Sequence, residues 1–356
     1  MEIKLGKQLF DLDFHPWSNV VATGDISGKL FLYRYAAESQ QPQRLLEVNA
    51  HKKKSCRMLR FVNEGRAIIT GSEDRSILAM DVETGTAIAR LKNSHRAPIS
   101  RVVNLTESTI ASGDDEGCIK VWDIQYRSCC NSFNVHEDVI SDMTFASDSM
   151  KLIGTSGDGT LSVCNLRSNK VQTRSEFSGD ELLSIVMMKN GRKVICGTQT
   201  GALLLYSWGF FKDYSDRFVG LSTKSDLSTN SVNALLKLDE DRVITGSGNG
   251  KISLVGILPN RIIQPIAEHP DPVEHLAISH DRKFLGGISH DEKLRLWDLD
   301  ELLQGTGNTA KNNSAVSRSD SDGMEVDNSI PKPSKGTKRK NAGKGLSNSN
   351  TFFADL

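Results

Sequence analysis

Four histidines recur at similar places along the chain and are the first candidates for chemistry. Each precedes an apolar run of strand length; they are His51, His95, His136 and His269. Imidazoles ligate metals and act as general bases. The spacing favours a structural role instead, because His95 lies 27 residues before Trp122 and His269 lies 28 residues before Trp297. A side chain that returns at a fixed interval is typical of a repeat.

Other signatures of catalysis are absent from the sequence. It contains no P-loop, GxGxxG, GxSxG or HExxH motif. Its cysteines lack the paired spacing of a zinc site or a disulfide framework; they are Cys56, Cys118, Cys129, Cys130, Cys164 and Cys196. We therefore expect reduced core cysteines of an intracellular protein, with no enzymatic activity, catalytic residue, cofactor or metal.

Composition excludes further classes of function. The 356 residues carry 44 basic and 44 acidic side chains. No overall electrostatic field therefore indicates binding to nucleic acid or to a membrane. The first residues lack an apolar signal-peptide core, and no stretch approaches 18 apolar residues. We expect neither secretion nor a membrane span.

The elements that carry the histidines are organised by a repeated hairpin. Ala111–Ile124, ASGDDEGCIKVWDI, is predicted to form a strand, a tight turn at Gly117 and a second strand. Seven such hairpins end at positions separated by 47, 42, 42, 42, 49 and 42 residues: Tyr33, Met80, Trp122, Cys164, Tyr206, Val255 and Trp297. A period of 40–45 residues with a Trp–Asp end indicates a β-propeller.

The repeat resembles that of the WD-repeat family over residues 1–303. This resemblance implies an all-β fold, a seven-bladed WD-repeat β-propeller, which we expect to be monomeric. Glu2–Leu5 are predicted to pair beside Leu294–Trp297 as the outer strand of blade seven, which would close the ring. In this family the histidine joins a buried network with a Ser or Thr hydroxyl and the Trp indole. By alignment, Ser289 and Trp297 match this network in blade seven, and Thr155 matches it in blade four.

Blade five contains an unusual concentration of aromatic residues. Trp208, Phe210 and Phe211 lie in the insertion after the fifth hairpin, followed by Tyr214 and Phe218. Two interpretations remain open. These rings pack the outer strand of the blade, or they form an amphipathic rim that binds a partner.

Residues 304–356 are predicted to be a disordered tail, because they are rich in Asn, Ser, Gly and Lys and lack periodicity. The tail contains an acidic stretch, Ser319–Asp327, and then a basic one centred on Lys338, Arg339 and Lys340. The basic stretch is a candidate nuclear-localisation segment, with a solvated charge run as the alternative. The apolar residues of the final FFADL are candidates for a docking motif.

Local sequence narrows the resemblance further. HKKKSCR at 51–57, SHRAPIS at 94–100, SWGFFKD at 207–213 and the final FFADL are similar to the WD repeat-containing protein 55 family, especially its plant form. That similarity implies a nuclear and nucleolar scaffold, with some cytoplasmic protein allowed, that supports ribosomal RNA production and binds pre-ribosomal factors. It also implies an alternative, a substrate receptor of cullin-4 ubiquitin ligases that acts in plant reproductive and embryo development.

Receptors of that ligase carry a W-D-x-R motif whose arginine contacts the ligase adaptor, and here the motif is degenerate. Trp122–Asp123 is followed by Ile124–Gln125, and Arg127 comes two residues later. Arg167 has the correct offset in blade four, but Cys164–Asn165 replace Trp–Asp. Arg127 and Arg167 are therefore the candidate adaptor contacts.

Cationic residues cluster in the loops that precede the second and third inner strands. The candidate partner-binding residues in these loops are Lys52, Lys53, Lys54, Arg57 and Arg96. Blade four places Glu137–Asp138 on the same face, and blade seven places Asp271 there. We predict a polarised face that binds an acidic partner, either ribosomal RNA or an acidic protein segment, with solvated loop charges as the alternative.

Overall fold

The computed structural model describes residues 1–36, 41–219 and 230–304. Within these ranges the chain forms 28 strands in seven four-stranded antiparallel sheets, the blades of a propeller. The tail beyond Gln304, with Lys338, Arg339, Lys340 and the final FFADL, lies outside the described residues. So do residues 37–40 in the loop of blade one and residues 220–229 in the insertion of blade five.

Each blade is a meander in which the chain passes from an inner strand to an outer one. The inner strands of blades one to seven are β2 (Leu9–Phe14), β6 (Cys56–Val62), β10 (Ile99–Asn104), β14 (Ile140–Ala146), β18 (Leu182–Met188), β22 (Val232–Lys237) and β26 (Val273–Ile278). The second strands are β3 (Val20–Asp25), β7 (Ala67–Ser72), β11 (Thr109–Asp114), β15 (Lys151–Ser156), β19 (Lys193–Thr198), β23 (Arg242–Ser247) and β27 (Phe284–Ser289).

The outer half of each blade completes the sheet. The third strands are β4 (Lys29–Arg34), β8 (Ile77–Asp81), β12 (Cys118–Asp123), β16 (Leu161–Asn165), β20 (Leu203–Ser207), β24 (Lys251–Gly256) and β28 (Lys293–Asp298). The outer strands are β5 (Gln43–Asn49), β9 (Ala87–Leu91), β13 (Ser128–Asn134), β17 (Lys170–Arg174), β21 (Asp216–Phe218) and β25 (Arg261–Glu268), with β1 (Glu2–Lys4) in blade seven.

The repeated hairpin predicted from the sequence is confirmed. The turn between the second and third strands places one residue at positive φ in every blade: Gly28, Arg75, Gly117, Gly159, Gly201, Gly250 and Glu292. Gly117 has φ 79°, which costs a glycine little because it lacks a Cβ atom. Arg75 and Glu292 adopt the same conformation at φ 62° and 61° without that advantage.

The ring closes through its first strand, as the sequence predicts. β1 pairs antiparallel with β28, with Ile3 opposite Leu294. The Leu296 amide donates to the Met1 carbonyl at 2.9 Å. Ile3 is 9% exposed and packs in a cluster shared by blades seven and one. This pairing gives β28 the partner that a bare sheet edge would lack.

Neighbouring blades are joined by side chains of the inner strands as well as by apolar packing. The Ser184 hydroxyl, for example, donates to the Val232 carbonyl at 2.8 Å. Carboxylates accept backbone amides of a neighbouring blade in the pairs Asp11 with Leu59, Asp13 with Phe61 and Asp142 with Ile185, at 2.8, 2.8 and 3.0 Å. Because each bond reaches one blade forward, the inner strands are linked around the channel.

A short helix follows the last strand of blade seven. α1 (Leu299–Gln304) buries Leu299, and its Leu302 and Leu303 pack on the core shared by blades six and seven. The Gln264 side chain of β25 donates to the Leu302 carbonyl at 3.3 Å. Among the described helices, none is long and apolar enough to cross a membrane.

Candidate functional site on the two faces and the channel

The histidine of blade three lies in a closed hydrogen-bond network. His95 Nε2 is 2.6 Å from the Ser112 hydroxyl, which also accepts the Trp122 indole N–H at 2.8 Å. His95 Nδ1 lies 2.8 Å from Asp114. Burial alone would raise the pKa of Asp114, but hydrogen bonds from His95 and the Cys118 amide outweigh it and lower the pKa. Both imidazole nitrogens are therefore occupied by structural partners.

Blades two and four contain related networks. His51 contacts the Thr70 hydroxyl at 2.8 Å and Asp74 at 3.0 Å. In blade four, His136 Nε2 contacts the Ser162 hydroxyl at 2.8 Å. The prediction that Thr155 serves there is wrong, because the Thr155 hydroxyl donates to the Asp142 carbonyl instead.

Blade seven differs from the network that the sequence predicts. The Ser289 hydroxyl donates to the Asp271 carbonyl at 2.9 Å, so its assignment beside Trp297 is wrong. Gly287 occupies the network position, where a Cβ atom would come 2.8 Å from the indole of Trp297. His269 Nε2 has no hydrogen-bond partner among the described residues.

The blade-three network also contains a cluster with the composition of a metal site. Ligand atoms of His95, Asp114 and Cys118 all lie within 4.8 Å of one another. The chemistry favours the hydrogen-bonded arrangement, because metal ligation through His95 Nδ1 would displace its bond to Asp114. The amine of Lys120 lies on the same rim, where it donates to the Ser94 carbonyl at 2.6 Å.

A second polar cluster, which sequence reasoning missed, lies in the central channel. Asp11 is fully buried and forms an ion pair with Arg60 at 2.5 Å. His275 Nδ1 lies 3.1 Å from the other oxygen of Asp11. Burial lowers the pKa of His275 to about 4; the Asp11 carboxylate opposes this shift, and Arg60 and Arg101 reinforce it. No local spacing reveals this cluster, because its members come from blades one, two and seven.

The channel opens into a cavity at each end. The cavity beside Arg60 and His275 has a volume of about 760 Å³, and the opposite one, beside Arg57 and Glu274, about 370 Å³. The larger cavity is lined by residues from all seven inner strands or the turns that follow them. Its charged lining is shared between acids and bases, so the channel shows no single preference for a charge.

The top face, which carries the loops preceding the inner strands, brings the predicted cations of blades two and three into neighbouring loops. Two are neutralised there, since Lys54 pairs with Glu73 at 2.8 Å and Arg57 pairs with Asp115 at 2.7 Å. Among the described residues no carboxylate forms an ion pair with the exposed Lys52, Lys53 or Arg96.

The structure adds a cation that the sequence did not single out on this face. Arg75, in the hairpin turn of blade two, donates to the Arg96 carbonyl at 3.3 Å. Its guanidinium therefore lies at the junction of blades two and three. We call Lys52, Lys53, Arg75 and Arg96 the top-face cationic cluster.

The opposite, bottom face carries the turns between third and outer strands, and with them Arg127 and Arg167. Both arginines are exposed, and they lie on neighbouring blades. Asp123 fixes the first turn by accepting the Gln125 amide at 2.8 Å. Asn165 fixes the second by accepting the Ser168 amide at 3.1 Å. The degenerate Trp–Asp positions thus keep the turn chemistry of the motif.

The aromatic residues of blade five divide between core and surface. Phe211 is 4% exposed and packs edge-on against the partly buried Trp208, with ring centroids 5.4 Å apart. The amine of Lys151, from blade four, lies over the Trp208 ring, 5.4 Å from its centroid. Phe210 is 78% exposed. Tyr214 and Phe218 also pack against core clusters. Packing thus accounts for four of the five rings, and Phe210 keeps the partner-binding interpretation open.

These features define the class: a seven-bladed WD-repeat β-propeller, which generally binds protein partners and is generally not catalytic. The family model WDR55 matches residues 1–302. WD repeat-containing protein 55 of Arabidopsis thaliana is 62% identical over 316 residues, 89% of this chain and 87% of that protein. The Homo sapiens protein of that name is 35% identical over 292 residues, 82% of this chain and 74% of that protein.

A fungal relative extends the similarity. WD repeat-containing protein JIP5 of Coprinopsis cinerea is 35% identical over 306 residues, 84% of this chain and 74% of that protein. The chain therefore belongs to the WD repeat-containing protein 55 family.

Proposed function

We propose that this protein is a non-catalytic scaffold of the nucleus and nucleolus that supports ribosomal RNA production by binding pre-ribosomal factors and RNA. The top-face cationic cluster carries the proposal. Lys52, Lys53 and Arg96 are exposed without a carboxylate partner in the described part of the chain, while Lys54 and Arg57 are neutralised nearby. Unpaired cations in adjacent loops favour an anionic partner.

The arrangement of the remaining polar groups agrees with a binding role. The buried histidines of blades two to four use their nitrogens in hydrogen bonds within their own blades. Because these hydrogen-bond networks stabilise the fold, the binding role falls to the exposed surfaces of the propeller. A rigid ring with distinct faces can hold several macromolecules at once.

Affinity purification from nuclear extract tests the proposal. The full chain is compared with a variant in which Lys52, Lys53 and Arg96 become Ser. A matched control replaces Arg66, Lys170 and Arg192, three exposed cations in or beside the bottom turns, with Ser and removes the same charge. We expect wild type and control to retain pre-ribosomal proteins and pre-ribosomal RNA, and the top-face variant to lose them. Wild type that retains neither would contradict the proposal.

Arg127 and Arg167 support a second candidate, the substrate receptor of a cullin-4 ligase in plant reproductive and embryo development. Both lie exposed on the same face in adjacent blades, as a pair of adaptor contacts requires. Replacing both with Glu should abolish recovery of the ligase adaptor and leave pre-ribosomal factors bound. Equal adaptor recovery by wild type and variant would reject these residues as the contact.

A further inference from the structure

Blade six lacks a side chain that the other blades possess at the end of their third strand. The equivalent residues are Arg34, Asp81, Asp123, Asn165, Ser207, Gly256 and Asp298. In blade three this residue accepts backbone amides of the turn that follows. In blade six the side chain of Asn260 accepts a turn amide instead, that of Leu258 at 3.1 Å.

The missing side chain leaves a groove at the bottom edge of the blade. Its volume is about 570 Å³, and Gly256 forms its floor. One wall is Ile263 of β25, whose Cδ1 lies 3.6 Å from the position that a Cβ atom of Gly256 would take. Leu258 and Pro259 form the second wall. We call this cavity the blade-six groove.

Two bulky apolar side chains are exposed in the walls of the groove, beside the charged Asp239, Asp241, Arg242 and Arg261. Leu258 is 47% exposed and Ile263 is 40% exposed. Leu258 also has a φ of 54°, a left-handed conformation that is rare for a bulky residue. Neighbouring exposed apolar side chains around a concave floor are typical of a site that accepts an apolar group.

The charges at the rim decide which partner fits. Asp239 pairs with Arg242 at 2.6 Å, and Asp241 pairs with Lys189 of blade five. Arg261 is exposed, and in the described part of the chain no carboxylate forms an ion pair with it. The groove therefore combines two exposed apolar side chains with one unpaired positive charge.

We propose that the blade-six groove binds a short peptide segment of a partner protein that presents a bulky apolar side chain next to a carboxylate. The apolar side chain fills the space above Gly256, against Ile263 and Leu258. The carboxylate pairs with the Arg261 guanidinium, which suits bidentate recognition. This interaction is separate from the top-face cationic cluster and does not depend on the function proposed above.

A displayed library of random heptapeptides provides the probe. It is first depleted on full-length Gly256→Asn protein and then selected on full-length wild type. Asn is the residue that blade four has at this position, Asn165, and the spacing around Gly256 tolerates a Cβ atom at 3.4 Å or more, so the Asn side chain should occupy the groove. Selected peptides should combine Leu, Ile, Phe or Trp with Asp or Glu. Basic peptides, or none that distinguish the two proteins, would overturn the proposal.

Synthetic versions of the selected peptides then test each contact. Binding should weaken at least ten-fold in Gly256→Asn and in Arg261→Glu, and it should persist in Ile88→Asp, which changes an exposed Ile on the outer strand of blade two. A peptide whose carboxylate is replaced by Lys should recover binding to Arg261→Glu. Failure of this charge exchange would reject Arg261 as the partner. Dimerisation of wild type that Gly256→Asn abolishes would assign the groove to a second copy and also overturn the proposal.

Discussion

His269 packs edge-on against Trp297, with ring centroids 5.2 Å apart and ring planes at 85°. In blade three the equivalent rings, His95 and Trp122, are 6.1 Å apart at 58°, and the Ser112 hydroxyl joins them. The closer approach in blade seven follows from the lack of a side chain at the bridging position. The residue at this position therefore decides whether a hydroxyl joins the two rings in blades three and seven, whereas blade four has Gly154 there and takes its hydroxyl from Ser162 of the third strand.

The first prediction concerns the bridge in blade three. Ser112→Ala should lower the free energy of unfolding by about 1–3 kcal/mol, because it leaves His95 Nε2 and the Trp122 indole N–H buried without a partner. Ser128→Ala, on the exposed outer strand of the same blade, is the matched control and should change stability little. Chemical denaturation measures both. Equal stability of the two variants would show that the bridge contributes nothing.

The second prediction concerns closure of the ring. Removing residues 1–6 should lower the melting temperature by several degrees, since it exposes the edge of β28 and the apolar surface that Ile3 covers. Glu2→Gln keeps the strand and removes only the exposed ion pairs with Lys293 and Arg295. That control should melt close to wild type, because exposed pairs contribute little. An unchanged melting curve for the deletion would contradict closure by β1.

The strands, the hairpin turns and the closing strand could be predicted from the sequence because their signals are local. Alternating apolar residues and one turn residue recur in each repeat, so the position of Gly117 also places Arg75 and Glu292. Ring closure could be predicted by counting strands, because the last repeat lacks a segment suited to its outer strand and the first residues of the chain supply one.

The buried networks could be predicted only in part, because a hydroxyl can reach the same histidine from different strands. Ser112 reaches His95 from the second strand of its blade, whereas Ser162 reaches His136 from the third. Spacing alone cannot choose between these positions, and it wrongly selected Thr155. The channel cluster joins residues as distant as Asp11 and His275, so no local pattern could indicate it.

The third prediction concerns the pH dependence of stability in the channel. The pKa of His275 is lowered from 6.5 to about 4, so the unfolded chain binds a proton that the folded protein rejects between these values. The contribution of His275 to the free energy of unfolding is fully present above pH 6.5 and is lost as the pH falls toward 4. At pH 5 the loss amounts to about 2 kcal/mol. His275→Gln should therefore lose less stability than wild type between pH 7.5 and 5, as measured by denaturation at each pH.

His290 provides a control of opposite sign. The hydrogen bond with Glu274 raises the pKa of His290, so this group stabilises the folded state at low pH and loses that effect as the pH rises. His290→Gln should lose more stability on acidification than wild type does. A pH profile of His275→Gln that is as steep as wild type would contradict the assignment of the acid sensitivity to the channel.

The fourth prediction concerns targeting. Replacing Lys338, Arg339 and Lys340 with Ala removes three positive charges from a segment suited to nuclear import. A fluorescent fusion of this variant should shift from nucleus and nucleolus to cytoplasm. Replacing Lys311 and Arg318 with Ala removes tail charges outside the segment and should leave the distribution unchanged. Nuclear accumulation of the first variant equal to that of wild type would reject the segment.

The fifth prediction separates RNA from protein as the partner of the top-face cationic cluster. Phosphate contacts release counterions, so the logarithm of the affinity for single-stranded RNA should fall with the logarithm of salt concentration at about 0.7 per contact. Replacing Lys52, Lys53 and Arg96 with Ser should weaken binding of the full chain to pre-ribosomal RNA and reduce that slope by about 2. Fluorescence anisotropy at low and moderate salt measures both quantities.

The bottom-face variant of Arg66, Lys170 and Arg192 decides whether net charge alone explains such a result. It removes three cations from exposed positions on the other face, so its overall charge equals that of the top-face variant. If the cluster contacts RNA, this control should keep the wild-type slope, because only contacts at the interface release counterions. An equal loss of RNA affinity and of salt slope in both variants would indicate non-specific electrostatic attraction. No binding by wild type at low salt would reject direct RNA contact and leave an acidic protein segment as the partner of these loops.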